Sequence, residues 1–266
     1  MTYSIVARDG ETGELGAAVQ SQAFNAGAAV PWVWAGVGAV ATQSFTDRRY
    51  GWRGLELMAA GTAPADALEQ LIAADEQPEI RQVGMIDAQG RIAQHTGEQC
   101  IADAGNVAGD GWAAQGNMLA ADCWVAMGAA FESTAGTLAQ RLMAALEAAE
   151  AAGGDWRGRG GAGIVVVPGT GDPWERVIDL RVEEGDDSLV ELRRLLERAE
   201  AYRATNRAER GRAEIGRAAG LPETHVLVLA LQDAKSDGNE AEAQRLVAEL
   251  EGRNPRWLDV VRFFGG

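Results

Sequence analysis

The sequence predicts an α+β protein: two antiparallel sheets face to face with a helical layer outside each, a four-layer αββα sandwich, and then a small all-helical C-terminal region. Three observations predict it. Strand and helix patterns come in blocks (three strands, two helices, two or three strands, two helices, two strands), unlike the alternation that builds a doubly wound parallel sheet. Several strands, such as 36–41 and 163–167, are apolar nearly throughout, as expected where a sheet is covered on both faces. From Ser188 onward only the helical period remains. The expected domains are therefore 1–187, the layered domain, and 188–266, a helical appendage.

Taken in order, residues 3–8 alternate as a strand, Asp9-Gly10-Glu11-Thr12-Gly13 turns, and Leu15–Gln20 returns as the second strand of a hairpin. Ser21–Gly27 is a loop. Pro31–Gly36 leads into a buried strand over 37–43, with glycines where another layer comes close. The period then lengthens. Tyr50–Ala60 places Leu55 and Met58 on one helical face, and Pro64 opens a second helix reaching about Ala74. A hairpin pairs 81–87 with 91–95 around Ala88-Gln89-Gly90, and 111–115 is a further short strand. Helices are expected over 119–131 and 137–152, and after a glycine-dense loop the last strands over 163–167 and 176–182. Asp186-Asp187-Ser188 caps a helix carrying Leu189, Leu192, Leu195 and Leu196. Residues 203–217 are very charged, Arg207–Arg217 reads as a solvated helix or a basic docking face, and 221–234 with 240–252 reads as an antiparallel helix pair, too few units for a solenoid.

Composition narrows the function classes. The 266 residues suit one large domain with an appendage, and 47% hydrophobic content can fill a substantial core. A formal charge of −15 argues against nucleic acid or an anionic membrane surface as partner. Cys100 and Cys123 are the only cysteines, and two histidines cannot build a multi-histidine metal centre, so neither cofactor nor metal is expected. No apolar run approaches the ~20 residues of a membrane span. Two thiols, and an amino terminus patterned as a strand rather than as a secretion signal, make the cytoplasm the expected compartment. Self-association is expected, because layered folds with Trp- and Ala-rich surfaces pack on copies of themselves.

The first residues carry the strongest chemical signal. Removal of Met1 would leave Thr2 at the amino terminus, and such a threonine holds a hydroxyl nucleophile and its own amine as base. An unperturbed α-amine titrates near ~7.7–8.0, which suits proton transfer at neutral pH. The plain alternative is an ordinary second residue with no chemistry.

Thr2–Asp9, Gly13-Glu14-Leu15-Gly16, Ala18-Val19-Gln20-Ser21, Val30-Pro31-Trp32, Ala35–Ser44, Arg53-Gly54-Leu55, His95-Thr96-Gly97 and Gln115-Gly116-Asn117-Met118 together carry a resemblance. In collinear order over about residues 1–185, they resemble a family labelled domain of unknown function 1028, grouped with the amino-terminal-nucleophile (Ntn) hydrolases. The C-terminal helices resemble, more weakly, a peptidoglycan-binding segment attached to some members. The resemblance implies an αββα fold with Thr2 as nucleophile at the mouth of the cleft between the sheets. It also marks two departures: Gln22 stands where a lysine or histidine is frequent, and Gly161 where a serine is usual.

Around Thr2 the candidates are strand-end residues. Gln20 and Ser21 face the Thr2 amine, or simply finish a strand. His95 is the main domain's only histidine, either a titrating group or a structural hydrogen-bonder. Gly116 and Asn117 form an oxyanion hole, or Asn117 caps a helix. Gln43, Ser44 and Gln115 are candidate substrate contacts, and Arg157 and Arg159 could clamp a substrate carboxylate. The expected function is an amidohydrolase acting on a small amino-acid-like or short peptide substrate. The alternative is a non-catalytic module that binds a metabolite or peptide, with a partner-docking tail.

Overall fold

The computed structural model describes residues 2–120, 123–257 and 259–260. Its strands are β1 (Thr2–Arg8), β2 (Leu15–Ser21), β3 (Pro31–Trp34), β4 (Gly38–Ser44), β5 (Arg81–Asp87), β6 (Ile92–Thr96), β7 (Gly105–Gly109), β8 (Trp112–Asn117), β9 (Gly161–Val167) and β10 (Ile178–Val182). Nine α-helices lie among the described residues: α1 (Ala26–Ala29), α2 (Arg48–Ala59), α3 (Pro64–Ala73), α4 (Cys123–Ser133), α5 (Leu138–Ala151), α6 (Ser188–Arg207), α7 (Arg212–Ala218), α8 (Glu223–Ser236) and α9 (Glu240–Arg253).

All ladders are antiparallel. One sheet has the order β10-β9-β2-β1-β8-β7 and the other β3-β4-β5-β6, so β1 is an interior strand paired on both edges. Strand alternation assigns faces. Thr2, Ser4 and Val6 point toward the second sheet, where Ser4 Oγ donates to Gln43 Oε1 and Val6 joins Ala39 and Ala41 in one core cluster. Tyr3 points to the opposite side, and its hydroxyl donates to Glu150 of α5 at 3.0 Å. Burial, then the Glu150 carboxylate, drives the Tyr3 phenol pKa far upward, so it stays a donor.

The two sheets pack through Val6, Leu15, Ala17, Val19, Val33, Ala39, Ile86, Val165 and Val167. Small side chains such as Ala17, Ala39 and Ala41 allow this close approach. Outside the second sheet, α2 and α3 close over Val40, Val83 and Met85 with Tyr50, Leu55, Met58 and Leu68. Outside the first, α4 and α5 contact its strands, and Phe131, Leu142, Met143 and Leu146 are wholly buried. Helix starts are locally encoded: Asp47 accepts from Arg49 N at α2, and Thr137 with Gln140 forms a capping box at α5.

The chain divides into two compact units, up to Arg194 and from Leu195. The composition change at Ser188 marks the first residue of α6, whereas the division falls inside that helix. The second unit has its own apolar clusters: Leu231, Ala234, Ala243, Leu246 and Leu250 between α8 and α9, and Ala213, Leu221, Val226 and Leu229 between α7 and α8. The charged stretch 203–217 is not one helix. It breaks at 208–211, where Gly211 has φ 70°, and restarts as α7. Two strands escape the sequence reading. β3 begins at a proline and is an edge strand, where proline is tolerated, and β7, Gly-Asn-Val-Ala-Gly, has little strand propensity. The helix expected from Leu119 begins at Cys123 among the described residues; Ala121 and Asp122 lie outside them.

Candidate active site

The space between the sheets is apolar at one end and polar at the other, and Thr2 stands at the polar end. Along the inward faces, Ser4, Gln43, Gln82, Gln115 and Asn117 are buried among valines and alanines. Buried donors need partners, and the side-chain amide donors of this set have them, while Gln115 Oε1 is buried without one. Gln43 Nε2 donates to the Thr2 carbonyl at 3.0 Å and to Gln82 Oε1 at 2.7 Å, while its own oxygen accepts from Ser4. Gln82 Oε1 also accepts from Asn117 Nδ2 at 3.0 Å, and Gln82 Nε2 donates to the Gly116 carbonyl at 2.8 Å. Gln115 Nε2 donates to Ser4 Oγ and to the Ala41 carbonyl. The network ties the first residue of β1 to three neighbouring strands.

Beyond this layer a cavity of about 260 Å³ opens, bordered by Thr2, Ser21, Ser44, Thr46, Asn117 and Arg157, with apolar walls from Phe24, Val30, Phe45, Ile101 and Met118. Register brings the polar set together, because Thr2 pairs directly with Ser21 on one side and Asn117 on the other. Thr2 Oγ1 lies 3.0 Å from Ser21 Oγ. Ser44 (φ 69°) and Met118 (φ 56°) hold left-handed backbone at the ends of their strands. That conformation costs a non-glycine residue about 1–3 kcal/mol, and such residues gather at ligand sites. The wall carrying Phe24 is held down by glycine contacts: a Cβ on Gly161 would lie 2.8 Å from the Ala23 carbonyl, and one on Gly27 2.8 Å from that of Ala162. Any side chain at 161, serine included, would lift this segment.

Arg157 is fixed by buried Asp155, which receives its Nη2 at 3.0 Å and also the backbone amides of Gln22 and Arg157. Among the described residues bordering the cavity, Arg157 is the one ionisable side chain.

Thr2, Ser21, Asn117, Ser44 and Arg157 thus converge as the sequence suggests. Other candidates fall elsewhere. Gln20 pairs with Tyr3, so alternation turns it to the helix side, where Nε2 donates to the Gly158 carbonyl at 3.3 Å. Gly116 sits between β1 and β7 with its backbone in the ladders and its carbonyl on Gln82, so it is not an oxyanion donor. His95 pairs with Val83, whose side chain packs under α2 and α3, and its Nε2 donates to the Pro78 carbonyl at 2.8 Å. Arg159 pairs with Asp187 at 3.0 Å and lies near Glu150 on the helix side. Gln43 and Gln115 spend their donors inside the protein and do not border the cavity. Gln82 and the apolar wall are what the sequence reading misses. A glutamine directly before the apolar run 83–86, on the same face as Gly84, was the available signal for Gln82.

A larger cavity of about 480 Å³ lies over α2 and α3, bordered by Arg49, Arg53, Leu57 and Leu71 among others, and holds none of the Thr2 group. Among the described residues no group of His, Cys, Asp and Glu could hold a metal ion, and no helix is long and apolar enough to cross a membrane.

Fold and site together define a mixed α/β protein with two antiparallel sheets and a polar cleft at the start of an interior strand. Residues 2–192 match the family of unknown function DUF1028, and the chain belongs to that family. A crystal structure of a Silicibacter pomeroyi protein assigned to the same family is similar at 30% identity, with a TM-score of 0.68, covering 74% of this chain and 88% of that one. No curated protein matches.

Proposed function

We propose that the chain is an amidohydrolase of the Ntn type with Thr2 as nucleophile. The observation that carries this reading is the content of the cleft. Thr2 presents its hydroxyl at the cavity, and among the described residues bordering that cavity none offers a side-chain base. A free α-amine on Thr2 supplies one, on the nucleophile itself. The succession of helix pair, sheet, sheet and helix pair supports the same reading, being the αββα order of Ntn hydrolases.

In this mechanism, removal of Met1, which lies outside the described residues, exposes the amine. Thr2 Oγ1 attacks the amide carbon while its proton passes to the amine, directly or through a water. The Asn117 amide gives one hydrogen to Gln82. Its second hydrogen is available to the oxyanion, an interaction whose loss costs such enzymes about 10²–10³ in rate. Collapse breaks the C–N bond, and the amine returns the proton to the leaving nitrogen. Water, activated by the same amine, hydrolyses the threonyl ester and restores Thr2. Ser21 holds the Thr2 hydroxyl in place, and Gln43 fixes the Thr2 carbonyl and with it the strand end.

An amidase screen read by amine release identifies a turnover substrate. Thr2→Ala is then expected to lose at least about 10³-fold in kcat, and Thr2→Ser to retain activity. Full turnover by Thr2→Ala contradicts the assignment. For the second unit, a polar cavity of about 410 Å³ bordered by Thr205, Asn206, Arg212, Gln232, Lys235 and Ser236 supports the proposal that it binds a hydroxyl- and amide-rich glycan such as peptidoglycan. Cosedimentation with insoluble cell wall tests it, and absence from the pellet rejects it.

A further inference from the structure

We infer that the ligand of the Thr2 cleft is amphiphilic: a small amide carrying one carboxylate and one apolar chain, such as a short N-acyl amino acid. The inference rests on the proposed hydrolase for the reaction but on separate residues for the ligand. The cavity, about 260 Å³, is near the lower end of small-molecule pockets, about 300–1,000 Å³. It excludes a folded partner from the Thr2 hydroxyl.

Its lining combines two chemistries. One is Arg157, whose Nε and Nη2 are held by Asp155; the Asp155 side chain is wholly buried and does not border the cavity. Asp155 takes the Nε and Nη2 donors and so fixes the plane of the guanidinium before a ligand arrives, and a ligand carboxylate would meet its cavity-facing side in a charge-assisted contact. The other is apolar: Phe24, Phe45 and Ile101 border the same cavity while being 69%, 53% and 49% exposed. Isolated exposed apolar residues need no explanation, but three around one cavity mark a binding surface. Thr2, Ser21 and Asn117 also border the cavity and would take the amide group. A ligand placing its amide at Thr2, its carboxylate on Arg157 and its chain along the phenylalanines satisfies every wall.

The reaction on such a ligand balances without a co-reactant other than water. The C–N bond breaks, an acyl–Oγ bond forms and is hydrolysed, and the products are a fatty carboxylic acid and an amino acid.

The test separates ligand class from reaction. Binding is measured by calorimetry on full-length Thr2→Ala protein, and turnover on the unsubstituted chain. The probes are N-hexanoylglycine, its uncharged carboxamide and N-acetylglycine. N-hexanoylglycine is expected to bind about 10–100-fold more tightly than the carboxamide, the range of one charge-assisted contact. It should exceed N-acetylglycine by about 10-fold or more through its additional methylenes. Arg157→Gln should bring the acid-to-carboxamide ratio toward one. Phe24→Ser, an exposed change that leaves the core untouched, should shrink the chain-length preference. Equal binding of all three probes, or none, overturns the inference. A shift from oligomer to monomer in Phe24→Ser without that preference also overturns it and assigns the rim to self-association. Preferential binding with no turnover keeps the ligand class and rejects the hydrolase; turnover without preference does the reverse.

Discussion

Gln82 carries more of the cleft's polar order than any residue that touches the cavity. Its oxygen accepts from both Gln43 and Asn117, one of which holds the Thr2 carbonyl. Gln82→Leu would leave both donors buried and unpaired, each at a cost of about 1–3 kcal/mol. We expect urea denaturation to show a loss of at least about 2 kcal/mol and turnover to fall by more than the unfolded fraction accounts for. An unchanged midpoint contradicts the role. The fate of the other candidates follows from alternation. With Thr2 and Ser21 facing inward as a cross-strand pair, Gln20 must face outward, and with Val83 under the helices His95 must follow it. Those facings were legible in a period-two reading. The positions of Phe24, Phe45 and Ile101 were not, because three loops distant in sequence bring them together.

At the scale of elements, one ion pair joins three of them. Asp75, just past α3, accepts from Arg81 at the start of β5 and from the Tyr50 hydroxyl of α2. The Arg81 guanidinium holds the Asp75 carboxyl far below its ordinary range, and the side chain is only 3% exposed. A depressed folded pKa makes this contribution complete above the unfolded carboxyl value near ~3.9 and lost as pH falls below it. The stability gap between the native chain and Asp75→Asn should therefore be steady from pH 7 to about 5 and narrow toward pH 3. A gap that widens on acidification contradicts the pairing. On the other side of the molecule, Leu142 of α5 lies wholly buried, and a Cβ on Gly16 of β2 would come within 2.8 Å of it. Leu142→Ala should cost about 2–5 kcal/mol in chemical denaturation, because rigid β2 cannot move in to fill the gap. A cost below 1 kcal/mol would show that the layer does relax.

Over the whole molecule, the block order of strands and helices survives in the structure because it is a property of long periodic segments. Short elements such as β3, β7 and α1 lack the length to show a period. The division inside α6 was hidden for a related reason: one helical period runs through it, from Leu189 and Leu192 to Leu196. Since the apolar clusters of the second unit are built from its own residues, calorimetry should resolve two unfolding transitions. A single transition with equal calorimetric and van't Hoff enthalpies contradicts that independence. The functional account depends on one atom, the Thr2 amine. Its most direct measurement is intact-mass and peptide mass spectrometry of the purified chain before and after treatment with a threonine-reactive β-lactone. The account predicts a chain lacking Met1 that gains one acyl adduct on Thr2. A chain that retains Met1 and takes no adduct contradicts it.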